Sequence, residues 1–174
     1  MSEQNMTADS LNMNEFDKPK LPTTLNVLTI LTFIGCALQL LGVIFGYVGA
    51  KKNLDEKDKV IAQMTSGEMP GWAKSFMPNM KNYEEMVTKS YENRMPILLL
   101  GLIAVALCFY GALQMRKLKK QGYMLYVVGE LLPLLSTALF LGMFAFSGIA
   151  FTIGIGLTIL FILLYTTQRK HLVY

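Results

Sequence analysis

The sequence predicts an all-α integral membrane protein: a four-helix bundle with a partly helical extramembrane loop between spans one and two. Three observations carry that expectation. Of the 174 residues, 53% are hydrophobic and only 16% charged, whereas a soluble domain carries about 25% charged residues; the mean hydropathy is +0.40. Three tracts, 21–50, 95–115 and 122–168, hold a single formal charge between them, Glu130, and crossing a ~30 Å hydrocarbon core takes about 20 apolar residues. Lipid also offers no hydrogen-bond partner to an open backbone edge, so these tracts are expected to be helices.

The chain divides into a polar tail over 1–20 and one transmembrane domain over 21–174. The tail holds two lysines against four acids. It lacks the short basic region that opens a cleaved signal peptide, so span one, about 23–50, is expected to be an uncleaved anchor. Its Leu-Pro start places Pro22 in the first turn and Thr23 or Thr24 near the cap. "FIGC" weakly matches a lipoprotein cleavage box, but Phe33 at its first position and the long tail before it favour packing as the role of Cys36.

The loop over 51–94 is nearly neutral, with eight basic residues against seven acids. "KKNLDEKDKVIAQM" continues span one as a helix of mixed charge, and "YEEMVTKSYENRM" leads helically into span two. Between them "SGEMPGWAKSFMPNM" presents Trp72 and Phe76 among methionines. Tryptophan prefers the membrane interface and methionine adapts to irregular surfaces. This stretch is therefore either a cap over the bundle's outer end or an interaction element with Trp72 and Phe76 as its contacts.

Span two, 95–115, opens on Pro96. The link behind it carries Arg116, Lys117, Lys119 and Lys120 with no acid. The tract 122–168 is about twice one span's length and is expected to fold as a hairpin turning at Ser147 and Gly148, giving spans of about 123–146 and 149–167. Basic residues in short links resist translocation, so the link is expected in the cytoplasm. An even number of spans brings both termini there, in agreement with Lys18, Lys20, Arg169 and Lys170, and leaves 51–94 outside. The four link cations are candidate contacts for anionic lipid.

Small residues mark the faces where helices are expected to touch in lipid. Gly35, Gly42 and Gly46 share a face of span one with Gln39; Ala104, Cys108 and Ala112 recur in span two, and Ala150, Gly154 and Thr158 in span four. Gly35, Gly42, Gly46 and Gly154 are the expected packing positions. Glu130 is the exception to the apolar text. A charge at mid-membrane costs about 2.5 to 3.5 kcal/mol even on the lenient insertion scale, and a helix starting near Gly122 sets Glu130 roughly 12 Å below the membrane surface. It is expected to face the bundle interior or a wet cavity, where desolvation makes the neutral acid accessible.

Pro133 cannot donate to the carbonyl of residue 129, which predicts a kink and a free acceptor beside the acid. Tyr126, Glu130, Pro133 and Thr137 share one face at helical spacing. The candidate polar site is Glu130, Gln39, Tyr126 and Thr137, with Tyr47, Tyr110 and Thr158 as further polar neighbours.

Catalysis finds little footing. His171 is the one histidine, and no metal-ligand spacing, nucleophile signature or phosphate-cradling glycine loop is present. No catalytic residue, metal or cofactor is expected. Cys36 and Cys108 lie in apolar tracts and are read as packing residues, and no basic face with base-reading groups points to nucleic acid.

Through "KPKLPTTLNVLTILTFIGCALQLL" and "LKKQGYMLYVVGELLPLL" the chain resembles small bacterial inner-membrane proteins with four spans. The resemblance implies a cytoplasmic-membrane location and a tetraspan fold, and it attaches no activity and no site residues. The expected function is that of a non-enzymatic accessory or assembly protein, partnered by membrane lipids and by another membrane protein or copies of itself. The alternative is a small oligomeric proton-coupled transporter or ion channel using Glu130.

Overall fold

The computed structural model describes residues 21–67, 70–76, 79–147 and 149–174; the tail 1–20 lies outside them. The described residues are all-helical, without strands: α1 (Thr23–Asp55), α2 (Lys57–Ser66), α3 (Gly71–Phe76), α4 (Met80–Glu92), α5 (Arg94–Arg116), α6 (Lys120–Ser136) and α7 (Ile149–Gln168). Four segments are long and apolar enough to cross a membrane, namely Thr23–Asp55, Arg94–Arg116, Lys120–Leu141 and Ile149–His171. Their outward faces are greasy: Phe45 and Val48 are 68% and 69% exposed. Such a belt is a liability in water and an ordinary surface in lipid, so the chain reads as a multi-pass membrane protein.

The N-terminal end of α1, the α5–α6 link and the C-terminal segment meet at one end of the bundle. There Leu25, Leu28, Met115, Leu118, Tyr126 and Tyr165 form one buried cluster with Leu172. The chain is stitched at this end by backbone hydrogen bonds, with the amides of Val173 and Tyr174 donating to the Leu118 carbonyl at 2.9 and 3.1 Å and Lys120 N–H donating to the Tyr174 carbonyl. Leu118 adopts φ 57° in the link, a left-handed conformation unusual for a residue with a branched side chain.

At the opposite end α1 runs on through Lys51 and Lys52 to Asp55, the helical continuation expected of "KKNLDEKDKVIAQM", because Ala-Lys-Lys-Asn-Leu supports a helix as well in water as at the interface. α2 ends on Gly67 at φ 80°, which glycine adopts without steric penalty. α4 returns toward the membrane with Val87 buried and is tied to α2 by Lys57–Glu84 at 3.0 Å.

The closest helix contact joins spans two and three, and glycine makes it. A Cβ at Gly111 would stand 2.7 Å from the Tyr126 nitrogen, one at Gly122 would stand 2.6 Å from the Gly111 oxygen, and one at Gly129 would stand 2.6 Å from Cys108 Sγ. Ala104, Cys108 and Ala112 form the facing stripe, at most 1% exposed. α1 packs on α5 by setting Val43 over Gly101, where a Cβ would come within 2.7 Å of Val43 Cγ2.

Two expectations are corrected here. Gly35, Gly42, Gly46 and Gly154 do not mediate close packing: a Cβ at any of them meets nothing within 4 Å. Gly35, Gly42 and Gly46 border cavities instead, because Val43 holds α1 over Gly101 and turns the glycine stripe toward the gaps beside spans three and four, and Gly154 borders the cleft between spans three and four. The hairpin also turns early. α6 gives way after Ser136 to a π-turn, Thr137–Leu141, and then to a 3-10 turn, Met143–Ser147. Pro133 withdraws a backbone donor, the Thr137 hydroxyl caps the Pro133 carbonyl at 2.9 Å, and Gly142 N–H reaches back five residues to Thr137 at 3.1 Å. Gly142, at φ 96°, is the residue that lets the chain leave the helix, so span three ends near 141 and not 146. Gly148 lies outside the described residues.

Span four is the loosest element. Tyr165 is the one buried residue among those described in α7, and a cleft of about 320 Å³ separates Pro133 and Thr137 from Ala150, Gly154 and Thr158. Gly129→Ala should therefore destabilise the folded state by about 1 to 3 kcal/mol, the usual cost of overpacking, whereas Gly42→Ala should leave it unchanged or slightly more stable. Thermal unfolding in a mild detergent checks the pair; equal effects would contradict the packing described.

Candidate functional site: an intramembrane carboxylate cluster

The helical repeat of α6 puts Tyr126 and Glu130 four residues apart on one face, while Gly129 pulls that stretch of backbone against Cys108. Glu130 is held half-buried. The Cys108 thiol lies 3.9 Å from its Oε1 and 3.9 Å from the Tyr126 carbonyl, and Tyr126 and Thr158 line the same cavity as the acid. Spans two, three and four thus each bring a polar side chain to the surroundings of one acid.

A second layer holds the first in place. The Tyr126 ring tilts against Tyr165 at 4.5 Å between centroids, and the Tyr165 hydroxyl shares a hydrogen bond with Thr32 Oγ1 at 2.7 Å. Both tyrosines are 1% exposed. This bond, with Tyr123 to Thr166 at 2.8 Å, pins the link end of α7 to spans one and three. A hydrogen bond between spans contributes about 0.6 to 2 kcal/mol in lipid, enough to fix a helix otherwise held by few contacts.

The acid borders a cavity of about 210 Å³, walled by Thr32, Gly35, Cys36 and Gln39 of α1, Tyr126 of α6 and Thr158 of α7. That volume has room for several water molecules. Chemically, a thiol and nearby hydroxyls can donate to an ionised carboxylate, and a protonated acid can donate to a tyrosine or threonine hydroxyl. A carboxylate among hydroxyls, with Gln39 beside it, is also a hard-oxygen environment that a cation or a proton can enter.

Of the residues singled out by sequence, Glu130, Tyr126 and Gln39 come together here. Gln39 lines two cavities, this one and a larger one toward the loop end. Pro133 and Thr137 belong to the larger cavity and to the span-four cleft, so the predicted four-residue face is divided by the turn of the helix. Of the further neighbours, Thr158 joins the acid, Tyr47 lines the larger cavity, and Tyr110 accepts a hydrogen bond from Gln114 at 2.6 Å on an exposed face. Cys108, Thr32 and Tyr165 were not singled out as polar partners. The signal for Tyr165 was its i+7 spacing from Thr158; Cys108 read as packing because sulfur gives no polar mark in apolar text.

Elsewhere, Trp72 is 71% exposed and Phe76 is 48% exposed on α3. Arg116, Lys117, Lys119 and Lys120 are all exposed. At that end Arg116 lies 5.9 Å from the centroid of the Phe33 ring and Arg169 5.5 Å from that of Tyr123. Among the described residues no group of three or more His, Cys, Asp or Glu side chains is placed to hold a metal ion.

Fold and site together define the class: an all-helical, four-segment, multi-pass membrane protein with a hydrogen-bonded acid between its spans. Comparison with protein-family models, curated proteins and solved structures finds no match for this chain.

Proposed function

We propose that the chain is a non-enzymatic accessory or assembly protein of the cytoplasmic membrane, binding a second integral membrane protein. One observation carries this reading. The exposed aromatic helix α3 touches α7, the span with one buried residue among those described. Trp72 and Phe76 therefore continue the apolar face of span four up into the extramembrane loop, giving a surface that is part membrane and part aqueous interface. Tryptophan and phenylalanine are the residues that anchor such contacts.

The orientation that goes with it has the link and C-terminal end in the cytoplasm. Arg116, Lys117, Lys119 and Lys120 stand exposed beside Arg169 and Lys170, where the anionic leaflet attracts them. Loop helices α2, α3 and α4 then face the other compartment.

A second reading is kept because Glu130 borders a cavity reached by three spans: a proton- or cation-coupled oligomer in which the acid titrates. Under the accessory reading the acid is a structural clamp.

A photo-crosslinking amino acid placed at Trp72, Phe76 or Ile153 should capture one recurrent protein in intact cells, and at lipid-facing Leu99 it should not. Capture should fall severalfold when Trp72→Ala and Phe76→Ala are combined; equal yields at all four positions would count against the interface, and a product of twice the chain mass would identify a second copy. Separately, Glu130→Gln, which keeps hydrogen bonding and loses ionisation, should leave folding and cross-linking intact. Loss of a pH-dependent ion flux in proteoliposomes, with folding preserved, would establish the transport reading instead.

A further inference from the structure

A cavity larger than the one at Glu130 lies toward the loop end between α1, α5 and α6 and measures about 350 Å³. Gly42 and Gly46 form its floor, and Val43, Ile97, Leu98 and Leu141 supply apolar walls. From Tyr47 to Gln39 it follows α1 for about 12 Å at the helical rise of 1.5 Å per residue. The floor is open because those glycines have nothing within 4 Å of a Cβ position.

Its polar groups are distributed unevenly. At the mouth stands Arg94, the first residue of α5, with its guanidinium 4.6 Å from the Tyr91 ring centroid and 5.8 Å from that of Tyr47. Stacking on aromatic rings orients a guanidinium but leaves its charge uncompensated by an anion. The described ion pairs are Lys57–Glu84 and Lys89–Glu85, and Arg94 is in neither. Deeper in the cavity Ser136 is 5% exposed and its Oγ has no hydrogen-bond partner. A buried hydroxyl left unpaired is costly, and here it faces open space lined by Pro133 and Thr137.

Charge at the interface, an apolar channel behind it and an unpaired hydroxyl part-way in describe an amphiphile. We infer that this cavity binds one anionic acyl lipid, with the acidic headgroup at Arg94, the chain along the Gly42–Gly46 floor and a carbonyl or headgroup oxygen at Ser136. A partner helix, ~10 Å or more across with its side chains, is too wide for this space, whereas the volume falls in the range of small-molecule sites. The inference is independent of the accessory interface, which lies on α3 and α7, so either can fail without the other.

Native mass spectrometry of the full chain in neutral detergent tests it, with phosphatidylglycerol, oleate and phosphatidylcholine as the added lipids. One equivalent of an anionic lipid should bind saturably, with phosphatidylcholine at least tenfold weaker. Phosphatidylglycerol alone would identify a phosphodiester headgroup as the ligand, and oleate alone a free carboxylate. Arg94→Gln should weaken binding tenfold or more, and so should Gly42→Leu, which fills the floor with no nearby atom to displace; helicity and thermal midpoint report folding for both variants. The basic link is unchanged in both, so the difference reports the cavity. Equal binding of phosphatidylcholine, or retention in Gly42→Leu at wild-type strength, would overturn the assignment, including the case in which only Arg94→Gln has an effect and the arginine acts as a surface charge.

Discussion

Everything in this bundle is arranged around the backbone contact between spans two and three. In lipid the hydrophobic effect does not draw helices together, and association rests on dispersion contacts and hydrogen bonds that require close approach. Gly111, Gly122 and Gly129 remove the side chains that would prevent it, and the short link at Leu118 holds the two helices in register. Fixing that pair brings Cys108 against Glu130 and sets Tyr126 toward the interior. Span one then adds through Val43 on Gly101, which fixes how its glycine stripe faces the gaps.

Span four is governed by a different balance. It has no glycine contact with its neighbours and is anchored at the link end by Tyr165, Thr32 and Tyr123. Toward the loop end the turn at Gly142 and the cleft beside Pro133 separate it from span three. The acid lies at the transition between these regimes, with the Cys108 thiol of the tight pair beside it and Thr158 of the loose helix on the same cavity. A structural clamp and a titrating site use the same geometry; they differ in whether the proton leaves.

Much of the architecture was legible in the sequence because lipid imposes a simple rule on composition. Tract length and the scarcity of charge gave four helices and the helical loop. What failed to read out was which glycines matter. Gly35, Gly42 and Gly46 make the more regular pattern, yet Gly111, Gly122 and Gly129 make the contact, because the choice depends on which faces meet and not on spacing within one helix. The early turn was hidden for a similar reason: Ser-Gly is the stronger local signal, but the loss of a donor at Pro133 and the tolerance of Gly142 for positive φ end the helix first. Cys108 shows the third limit, a thiol whose polar role appears only once a carboxylate is placed beside it.

The bundle should therefore be unequally rigid along its length, and distance distributions between paired spin labels in lipid nanodiscs measure this most directly. Labels at lipid-facing Leu102 and Leu135 should give a single narrow distribution across spans two and three. Labels at Leu139 and Ile153 should give a distinctly broader one across spans three and four. Equally narrow distributions, or a broader one across spans two and three, would contradict a fold built on the glycine contact with span four hinged at one end.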